Sequence, residues 1–421
     1  MLASIFVEAW DFNSIGFVLV FLRDQFHPSA LMLGLAAGGF QAGMALGALV
    51  GGWLTDKFGR RLMFMTSIAL FVVLALAQAF APDLATLLII RVLLGFPLGA
   101  DITTGYTYIM EYLPKGQREI WGNRWQVIFA VGQVACSAVV ALFIVCGMSH
   151  ELIWRLVLGL GALPAVIIFV LRKDLPETAI WLIRQGRFCE AKAASLEMYN
   201  DSLDMLPDTD VHVTRPPVTE FLADLRSDPI RWRATLYSWI AFVCCAGEFS
   251  TFGFYIPVIF MMVGVSGIAG TTLTAGLIWI VAGIAGWVAP AFTPKLGHRG
   301  VGIFGFGTVI VGLGMAAVAL YTNHPYVLPL AAAIAMWGHT TAVTNPLTIA
   351  TVVSKARYRG TAGGFSYFIN KAPLFVGIFL FPSLFAAVGQ ANATALVILF
   401  PLIGLLAAIF VFREMYGIQS D

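Results

Sequence analysis

Long apolar runs separated by short polar segments make up most of this sequence. A helix that crosses a bilayer needs about 20 predominantly apolar residues, and twelve runs reach that length. We predict helices at residues 2–22, 31–54, 62–81, 84–112, 121–146, 152–171, 233–263, 270–292, 300–321, 325–353, 361–388 and 392–412. The pattern therefore predicts an all-α membrane protein with twelve transmembrane helices.

A polar stretch at residues 172–232 separates the first six runs from the last six. We therefore predict three parts: an N-terminal six-helix bundle at 1–171, a central cytoplasmic loop at 172–232 and a C-terminal six-helix bundle at 233–421. Within the loop we expect short amphipathic helices on the membrane surface, near 187–199 and 218–226.

The composition requires a lipid environment. The chain of 421 residues is 59% hydrophobic and 11% charged, whereas soluble domains are about 25% charged. We expect the protein to lie in a lipid bilayer and not to bind nucleic acid. The five cysteines show no metal-ligand spacing, so we expect no disulfide, metal or cofactor. The first run carries Glu8 and Asp11 and lacks a small-residue cleavage site, which indicates a retained helix and not a signal peptide.

The basic residues alternate between the two ends of the predicted helices. Almost all of the 25 Lys and Arg residues fall in the central stretch or in the loops after helices 2, 4, 8 and 10, while Arg23 and Arg155 fall on the other side. Loops rich in Lys and Arg stay in the cytoplasm. The alternation predicts a multi-pass protein of the inner or plasma membrane with both termini cytoplasmic.

The two sets of helices repeat each other. Residues 55–61, Thr-Asp-Lys-Phe-Gly-Arg-Arg, align without gaps to residues 293–299, Thr-Pro-Lys-Leu-Gly-His-Arg. Both segments follow the second helix of their half. Duplicated six-helix halves are typical of secondary transporters, whose substrate site lies near the bilayer midplane between the halves.

Six charged residues lie deep in the predicted helices, toward the bilayer centre, where a charge costs about 2.5–3.5 kcal/mol or more: Glu8, Asp11, Arg91, Asp101, Glu248 and Lys371. At 1.5 Å per residue, Arg91 falls near the level of Asp11, so we expect these two to pair. Glu8 and Asp101 then lack a nearby cation and are suited to carry a proton. We predict that Glu8, Asp11, Arg91 and Asp101 couple proton movement to transport. The alternative is a structural ion pair with a permanently protonated acid.

Four segments resemble conserved motifs of the major facilitator superfamily, in its sugar-porter-like branch. They are the loop 51–61, Arg-Val-Leu-Leu-Gly-Phe-Pro-Leu-Gly-Ala-Asp at 91–101, Glu-Tyr-Leu-Pro-Lys-Gly-Gln-Arg at 111–118 and Leu-Pro-Glu-Thr-Ala-Ile-Trp-Leu at 175–182. The resemblance spans essentially the whole chain and implies a transporter, not an enzyme, that works by rocker-switch alternating access. It also implies a gating role for the loop residues Asp56, Arg60, Arg61, Glu111 and Arg118.

The segment 360–371 resembles the part of proton–phosphate symporters that ends in a lysine of helix 11. On that resemblance we expect a monomeric symporter of protons and a small anion, phosphate or carboxylate. The residues we expect to bind it are Glu248, Lys371, Gln126, Asn345 and Trp10. The match is incomplete, because those symporters have a tyrosine where this chain has Ile102, and a tryptophan and a tyrosine where it has Cys244 and Phe252.

Two other interpretations remain open. In the first, the protein carries a neutral sugar or an organic cation, and Lys371 forms a structural ion pair with Glu248. In the second, it is a membrane sensor that transports nothing. The sequence shows neither an appended soluble domain nor a nucleotide-binding motif, so it offers no support for the second interpretation.

Overall fold

The computed structural model describes residues 3–114, 117–213, 219–262, 264 and 268–416. In this part of the chain, eleven helical segments are long and apolar enough to cross a membrane. One of them, Gly270–Tyr321, has 52 residues and would be about 78 Å long if straight, against a bilayer core of about 30 Å. Gly297 breaks it with φ 68° and ψ 172°. The break separates two spans, so the prediction of twelve transmembrane helices is confirmed.

We label the twelve spans α1 to α12 in chain order. The first six are Ser4–Phe26, Leu31–Phe58, Arg60–Ala79, Leu84–Tyr112, Ile120–Val145 and His150–Arg172. The last six are Pro229–Pro257, 270–296, 298–321, Pro325–Val352, Ala356–Val388 and Gln390–Phe410. We call α1–α6 the N-terminal half and α7–α12 the C-terminal half. The predicted bounds lie within a few residues of these.

Short polar residues begin four of the spans. The side chains of Ser29, Asp83, Ser149 and Asp228 accept hydrogen bonds from main-chain N–H groups in the first turns of α2, α4, α6 and α7. These first-turn N–H groups have no partner inside the helix, so a side-chain oxygen at that position stabilises the start. Local sequence thus fixes where these spans enter the membrane.

In the described residues of the central stretch, 172–213 and 219–232, there are three short helices, Ala179–Arg184, Phe188–Tyr199 and Glu220–Arg226. The last two correspond to the helices expected near 187–199 and 218–226. We call the end of the bundle that carries this stretch the inner face. The Asp224 carboxylate holds the last helix there by ion pairs with Arg231 at 3.0 Å and with Lys355. Burial raises the pKa of Asp224, which lies outside the spans, but hydrogen bonds from Lys355 and Arg231 lower it more. The pKa of Asp224 is therefore below its usual value.

The same turn recurs on the inner face of both halves. Gly59 and Gly297 have positive φ angles of 97° and 68°, a conformation open to glycine at little cost. The main-chain N–H groups after each glycine donate hydrogen bonds to a glutamate that follows the last span of the same half. Glu177 accepts from Arg61 N at 3.0 Å, and Glu414 accepts from Arg299 N at 3.0 Å. The internal repeat read from the sequence is therefore also a repeat of hydrogen bonds.

Candidate functional site

A cavity lies between the halves near the middle of the spans. It is lined by Glu8, Phe12, Trp125, Gln126, Phe129, Cys245, Ala246, Phe249, Trp279, His339, Val343, Asn370, Lys371 and Leu374. These residues come from α1, α5, α7, α8, α10 and α11. The cavity therefore combines polar groups from both halves with a largely aromatic wall.

The cavity contains an ion pair that joins the halves. The Lys371 ammonium on α11 lies 2.5 Å from the Glu8 carboxylate on α1. The Tyr367 hydroxyl, one helical turn before Lys371, donates to the same carboxylate at 2.8 Å. All three side chains are buried. The expectation that Glu8 lacks a nearby cation is therefore wrong, because the cation comes from the other half of the molecule.

Glu248, another acid predicted to bind substrate, is not among the residues that line the cavity and has a different partner. Glu248 on α7 forms a very short hydrogen bond with Nδ1 of His339 on α10. The His339 ring stacks on Phe249 with 4.8 Å between ring centroids. The structural ion pair that the sequence suggested between Lys371 and Glu248 is therefore wrong: each residue has another partner at close range.

Asp11 lies in the interior of the N-terminal half. Gln78 of α3 donates to its Oδ1 at 3.0 Å, and Arg91 of α4 donates to the main-chain carbonyl of Asp11 at 3.3 Å and to Gln78 at 3.4 Å. The predicted neighbourhood of Asp11 and Arg91 is present, but Gln78 joins them in place of a direct ion pair. Asp11 Oδ2 is buried without a hydrogen-bond partner among the described residues.

Asp101 also has a cation, contrary to expectation. Arg172, at the end of α6, donates to Asp101 Oδ1 at 2.6 Å and to the Ser4 hydroxyl at 3.0 Å. The expectation that Asp101 lacks a nearby cation is therefore wrong. Sequence reasoning placed Arg172 in the central loop, whereas it is the last residue of its span and is buried.

The remaining predicted binding residues lie in different places. Gln126 lines the cavity. Asn345 lies nearer the inner face, where it accepts a hydrogen bond from Asn123 at 3.1 Å. Trp10 packs inside the N-terminal half and donates to the Val157 carbonyl at 2.9 Å. Of these three, the structure brings only Gln126 to the cavity.

Aromatic rings form one wall of the cavity. Phe249 of α7 lies 5.6 Å from Phe12 of α1 and 5.8 Å from Trp279 of α8, measured between ring centroids. Phe129 of α5 lies 5.6 Å from Trp279. Rings at these separations provide a continuous apolar surface. A bound molecule would meet this surface on one side and the Glu8–Lys371 pair on another.

Asp56 connects the two halves at the inner face. Its carboxylate accepts hydrogen bonds from the main-chain N–H groups of Gly360 at 3.1 Å and Thr361 at 2.7 Å, and from the Thr361 hydroxyl at 2.9 Å. These groups belong to the first helical turn of α11, where an acid is favoured by the helix dipole and by the free N–H groups. The contact between the last turn of α2 and the start of α11 thus has the geometry that a gate needs.

The other predicted gating residues hold Asp56 and its loop in place. Arg60 forms a buried ion pair with Glu111 at 2.7 Å and a longer one with Asp56 at 3.5 Å. Thr178 of the central stretch also donates to Glu111, at 2.6 Å. Arg61 donates to the Lys173 carbonyl at 3.3 Å. The side chain of Arg118 lies outside the described residues.

Small residues let the halves meet closely at the inner face. A Cβ atom on Gly364 of α11 would lie 2.3 Å from the Ala48 carbonyl oxygen of α2, and one on Gly52 would lie 2.4 Å from the Gly360 carbonyl oxygen. Nearby, the Tyr106 and Thr348 hydroxyls share a short hydrogen bond between α4 and α10. The inner face is therefore closed in this conformation.

Sequence reasoning missed four residues of these networks: Gln78, Arg172, His339 and Tyr367. A polar signal was available for two of them. Tyr367 stands four residues before Lys371, on the same helix face, and Gln78 interrupts an apolar run. His339 is a lone histidine in an apolar run, which is usually a packing residue, and its partner Glu248 lies 91 residues away. Arg172 is the first residue of the stretch 172–232 that the sequence predicts as the central loop.

The fold and the cavity between two repeated halves define the architecture of a secondary transporter. The family model of the Major Facilitator Superfamily matches residues 1–378, and the chain belongs to that family. It is a multi-pass membrane protein, and proteins of this family and fold are not enzymes.

Curated relatives and solved structures agree with this assignment. The inner membrane metabolite transport protein YgcS of Escherichia coli is 30% identical over 292 residues, which cover 69% of this chain and 63% of YgcS. The niacin transporter NiaP of Acinetobacter baylyi is 27% identical over 330 residues, covering 75% of this chain and 69% of NiaP. The match therefore spans somewhat less than two thirds of YgcS.

Among solved structures, the proton:xylose symporter XylE superposes with a TM-score of 0.80 and 18% identity, covering 99% of this chain and 96% of XylE. A partially occluded inward-open form of XylE from Escherichia coli gives a TM-score of 0.76 at 16% identity. At these identities the likeness concerns the fold.

Proposed function

We propose that the protein is a proton-coupled symporter of a small organic anion. The observation that supports this most directly is the buried ion pair of Glu8 with Lys371, which borders the central cavity and joins the two halves. An anion that enters the cavity must compete with Glu8 for the Lys371 ammonium. A proton on Glu8 removes that competition.

The balance of charge explains how a proton and an anion could be coupled. In the empty state, Glu8 and Lys371 neutralise each other. With Glu8 protonated and an anion on Lys371, the site is again neutral. Either the proton or the anion alone leaves one uncompensated charge at membrane depth, which costs about 2.5–3.5 kcal/mol or more. This cost disfavours half-loaded states by roughly a hundredfold, so the proton and the anion would move together.

The lining of the cavity favours a carboxylate on an apolar or planar body over phosphate. A phosphate group needs hydrogen-bond donors around all of its oxygens, and polar groups left without donors in a buried site are costly. Here the Lys371 ammonium faces a wall that includes Phe249 and Trp279. One relative is named as a transporter of niacin, which is an aromatic carboxylic acid.

We assign the inner face to the cytoplasm, since it carries the basic loops. Both termini then lie in the cytoplasm, and the membrane is the cell membrane. We propose that the protein acts as a monomer, because each half contributes to one cavity within a single chain.

A second candidate function is symport of a neutral sugar. The arabinose–proton symporter of Escherichia coli is 31% identical to this chain over 192 residues, and the fold is that of XylE. In this case Lys371 would remain bound to Glu8 as a structural pair. The two candidates differ in what they require of Lys371.

Uptake into liposomes that contain the purified protein distinguishes the candidates. Nicotinate, benzoate, phosphate, xylose and arabinose are supplied with and without an inward proton gradient. Gradient-driven uptake of a carboxylate that is lost in Lys371→Met but kept in Lys295→Met supports the proposal, since Lys295 is an exposed lysine of the inner face. Uptake of a sugar that survives in Lys371→Met contradicts it. A chain that transports nothing would favour a sensor.

A further inference from the structure

The C-terminal half contains a cluster of three metal-ligating side chains outside the Glu8–Lys371 pair. Cys245, Glu248 and His339 each offer one ligand atom, and these atoms lie within 4.8 Å of one another. All three residues are buried, and Cys245 and His339 line the central cavity. We propose that this cluster binds a divalent transition-metal cation such as Zn²⁺. The proposal does not depend on which substrate the protein carries.

The set of ligands matches the chemistry of zinc. Zinc is bound by Cys sulfur at about 2.3 Å and by His nitrogen or carboxylate oxygen at about 2.0–2.2 Å. Ligand atoms of a tetrahedral zinc therefore lie about 3.3–3.8 Å apart, so the cluster needs about 1 Å of side-chain adjustment. Cys245 and Glu248 stand three residues apart on α7 and share a helix face. The cavity leaves room for water as the fourth ligand.

Charge favours the bound state. When the cation binds, the Cys245 thiol gives its proton to water. The proton that neutral His339 shares with Glu248 moves from Nδ1 to Nε2, so that Nδ1 and the Glu248 carboxylate are both free to bind the cation. A divalent cation with one thiolate, one carboxylate and a neutral imidazole carries no net charge, as burial in the membrane requires. The other charged groups of the cavity, Glu8 and Lys371, already neutralise each other.

The position of the cluster, between α7 and α10, would let a bound cation restrict the movement of these two helices during transport. Cys245 and Glu248 immediately precede the π-helical turn Phe249–Gly253 of α7, and His339 belongs to α10. Single π turns inside helices are frequent at functional sites. A cation that bridges α7 and α10 at this point would fix the local geometry and occupy part of the cavity wall. We therefore expect micromolar Zn²⁺ to inhibit transport.

Cobalt binding to the full-length purified protein tests the site directly, because a thiolate on Co²⁺ gives a charge-transfer absorption. After treatment with a chelator, the protein is titrated with Co²⁺ alone and then with Zn²⁺ as competitor. We expect one Co²⁺ per chain with the thiolate band, displaced by Zn²⁺. Cys245→Ser and His339→Gln should each abolish the band or weaken binding at least about tenfold, since even outer-shell changes cost that much. Cys244→Ser, at the neighbouring cysteine, should keep it.

Three results would overturn the proposal: wild-type protein without the thiolate band, a band that survives in Cys245→Ser, or equal loss in Cys244→Ser. If gel filtration shows that Cys245→Ser does not fold, the titrations of His339→Gln and of the wild type still test whether the cluster binds the cation. A cation bound at the inner-face acids instead would leave binding unchanged in His339→Gln, which also contradicts the assignment.

Discussion

Lys371 and Glu8 lie 2.5 Å apart although 363 residues separate them in the chain. One belongs to α11 of the C-terminal half and the other to α1 of the N-terminal half. Their pairing places opposite charges from both halves at one wall of the central cavity. Any coupling between substrate and proton in our proposal acts through this contact.

Replacing Glu8 by glutamine should separate proton coupling from binding. Glu8→Gln removes the proton-binding group, yet leaves Lys371 free for an anion. We expect counterflow exchange to persist, while accumulation driven by a pH gradient falls to the level seen without a gradient. Glu151→Gln is the control, because Glu151 is an exposed acid at the start of α6. If Glu8→Gln accumulates substrate under a pH gradient as the wild type does, Glu8 does not carry the coupled proton.

Removing the charge of Asp56 should loosen the inner face. Asp56→Asn keeps an acceptor for Thr361 but loses the favourable interaction of a negative charge with the start of α11, which is worth about 1 kcal/mol. We expect the ratio of inward-open to closed molecules to rise roughly fivefold. Electron–electron distance measurements between spin labels at positions 57 and 220, in a cysteine-free background, report this opening.

Asp83→Asn is the matched control for Asp56→Asn. Asp83 caps α4 within its own half by accepting from Thr86 N at 2.8 Å. Its substitution removes a helix-cap charge of the same kind without touching the contact between halves. An equal shift of the label distances in both variants would show that the change is general and would refute a gating role for Asp56.

Adding one methyl group at the inner contact should prevent closure. In Gly364→Ala the new Cβ would lie 2.3 Å from the Ala48 carbonyl oxygen and 2.9 Å from Gly52 Cα, and neither backbone atom can move alone. We expect the inward-open form to dominate and uptake to be lost. Gly314→Ala should leave both unchanged, because a Cβ there meets no atom within 4 Å. Normal closure of Gly364→Ala would show that this close approach is not required.

Breaking the Asp101–Arg172 pair should reduce stability more than it affects coupling. Asp101→Asn leaves the buried Arg172 guanidinium without its carboxylate, and loss of one partner of a buried pair costs about 3–5 kcal/mol. Thermal unfolding in detergent measures this loss. The double variant Asp101→Leu with Arg172→Met should recover much of the stability, because both charges are gone. If Asp101→Asn is as stable as the wild type and loses only gradient-driven uptake, Asp101 carries the coupled proton, as the sequence predicted.

The central stretch should detach from the inner face in acid. Because the pKa of Asp224 is lowered in the folded protein, its charged form stabilises the fold at pH values above the usual aspartate pKa of about 3.9. That stability disappears as the pH falls through the lowered value. We therefore expect Asp224→Asn to lower the melting temperature at pH 7 and to approach wild type only at pH values below the lowered pKa of Asp224, which itself lies below about 3.9. Asp204→Asn, at an exposed aspartate of the same stretch, should not change the melting temperature at either pH.

The sequence determined the twelve spans and the repeat of the two halves. These features depend on local properties: the length of an apolar run, a polar residue that caps a helix, and the distribution of Lys and Arg over the loops. The sequence also indicated where charges enter the membrane, because each buried charge stands out in an apolar run. The neighbourhood of Asp11 and Arg91 followed from depth alone, since the rise per residue of a helix is fixed.

Tertiary structure decided which charge meets which. Depth along a helix gives a level in the membrane but not the direction in which a side chain points, and contacts between halves depend on how the two bundles pack. For this reason the sequence did not predict any of the three observed pairs: Glu8 with Lys371, Glu248 with His339 and Asp101 with Arg172. The cluster of Cys245 with Glu248 and His339 arises in the same way, because α7 and α10 become neighbours only in the folded bundle.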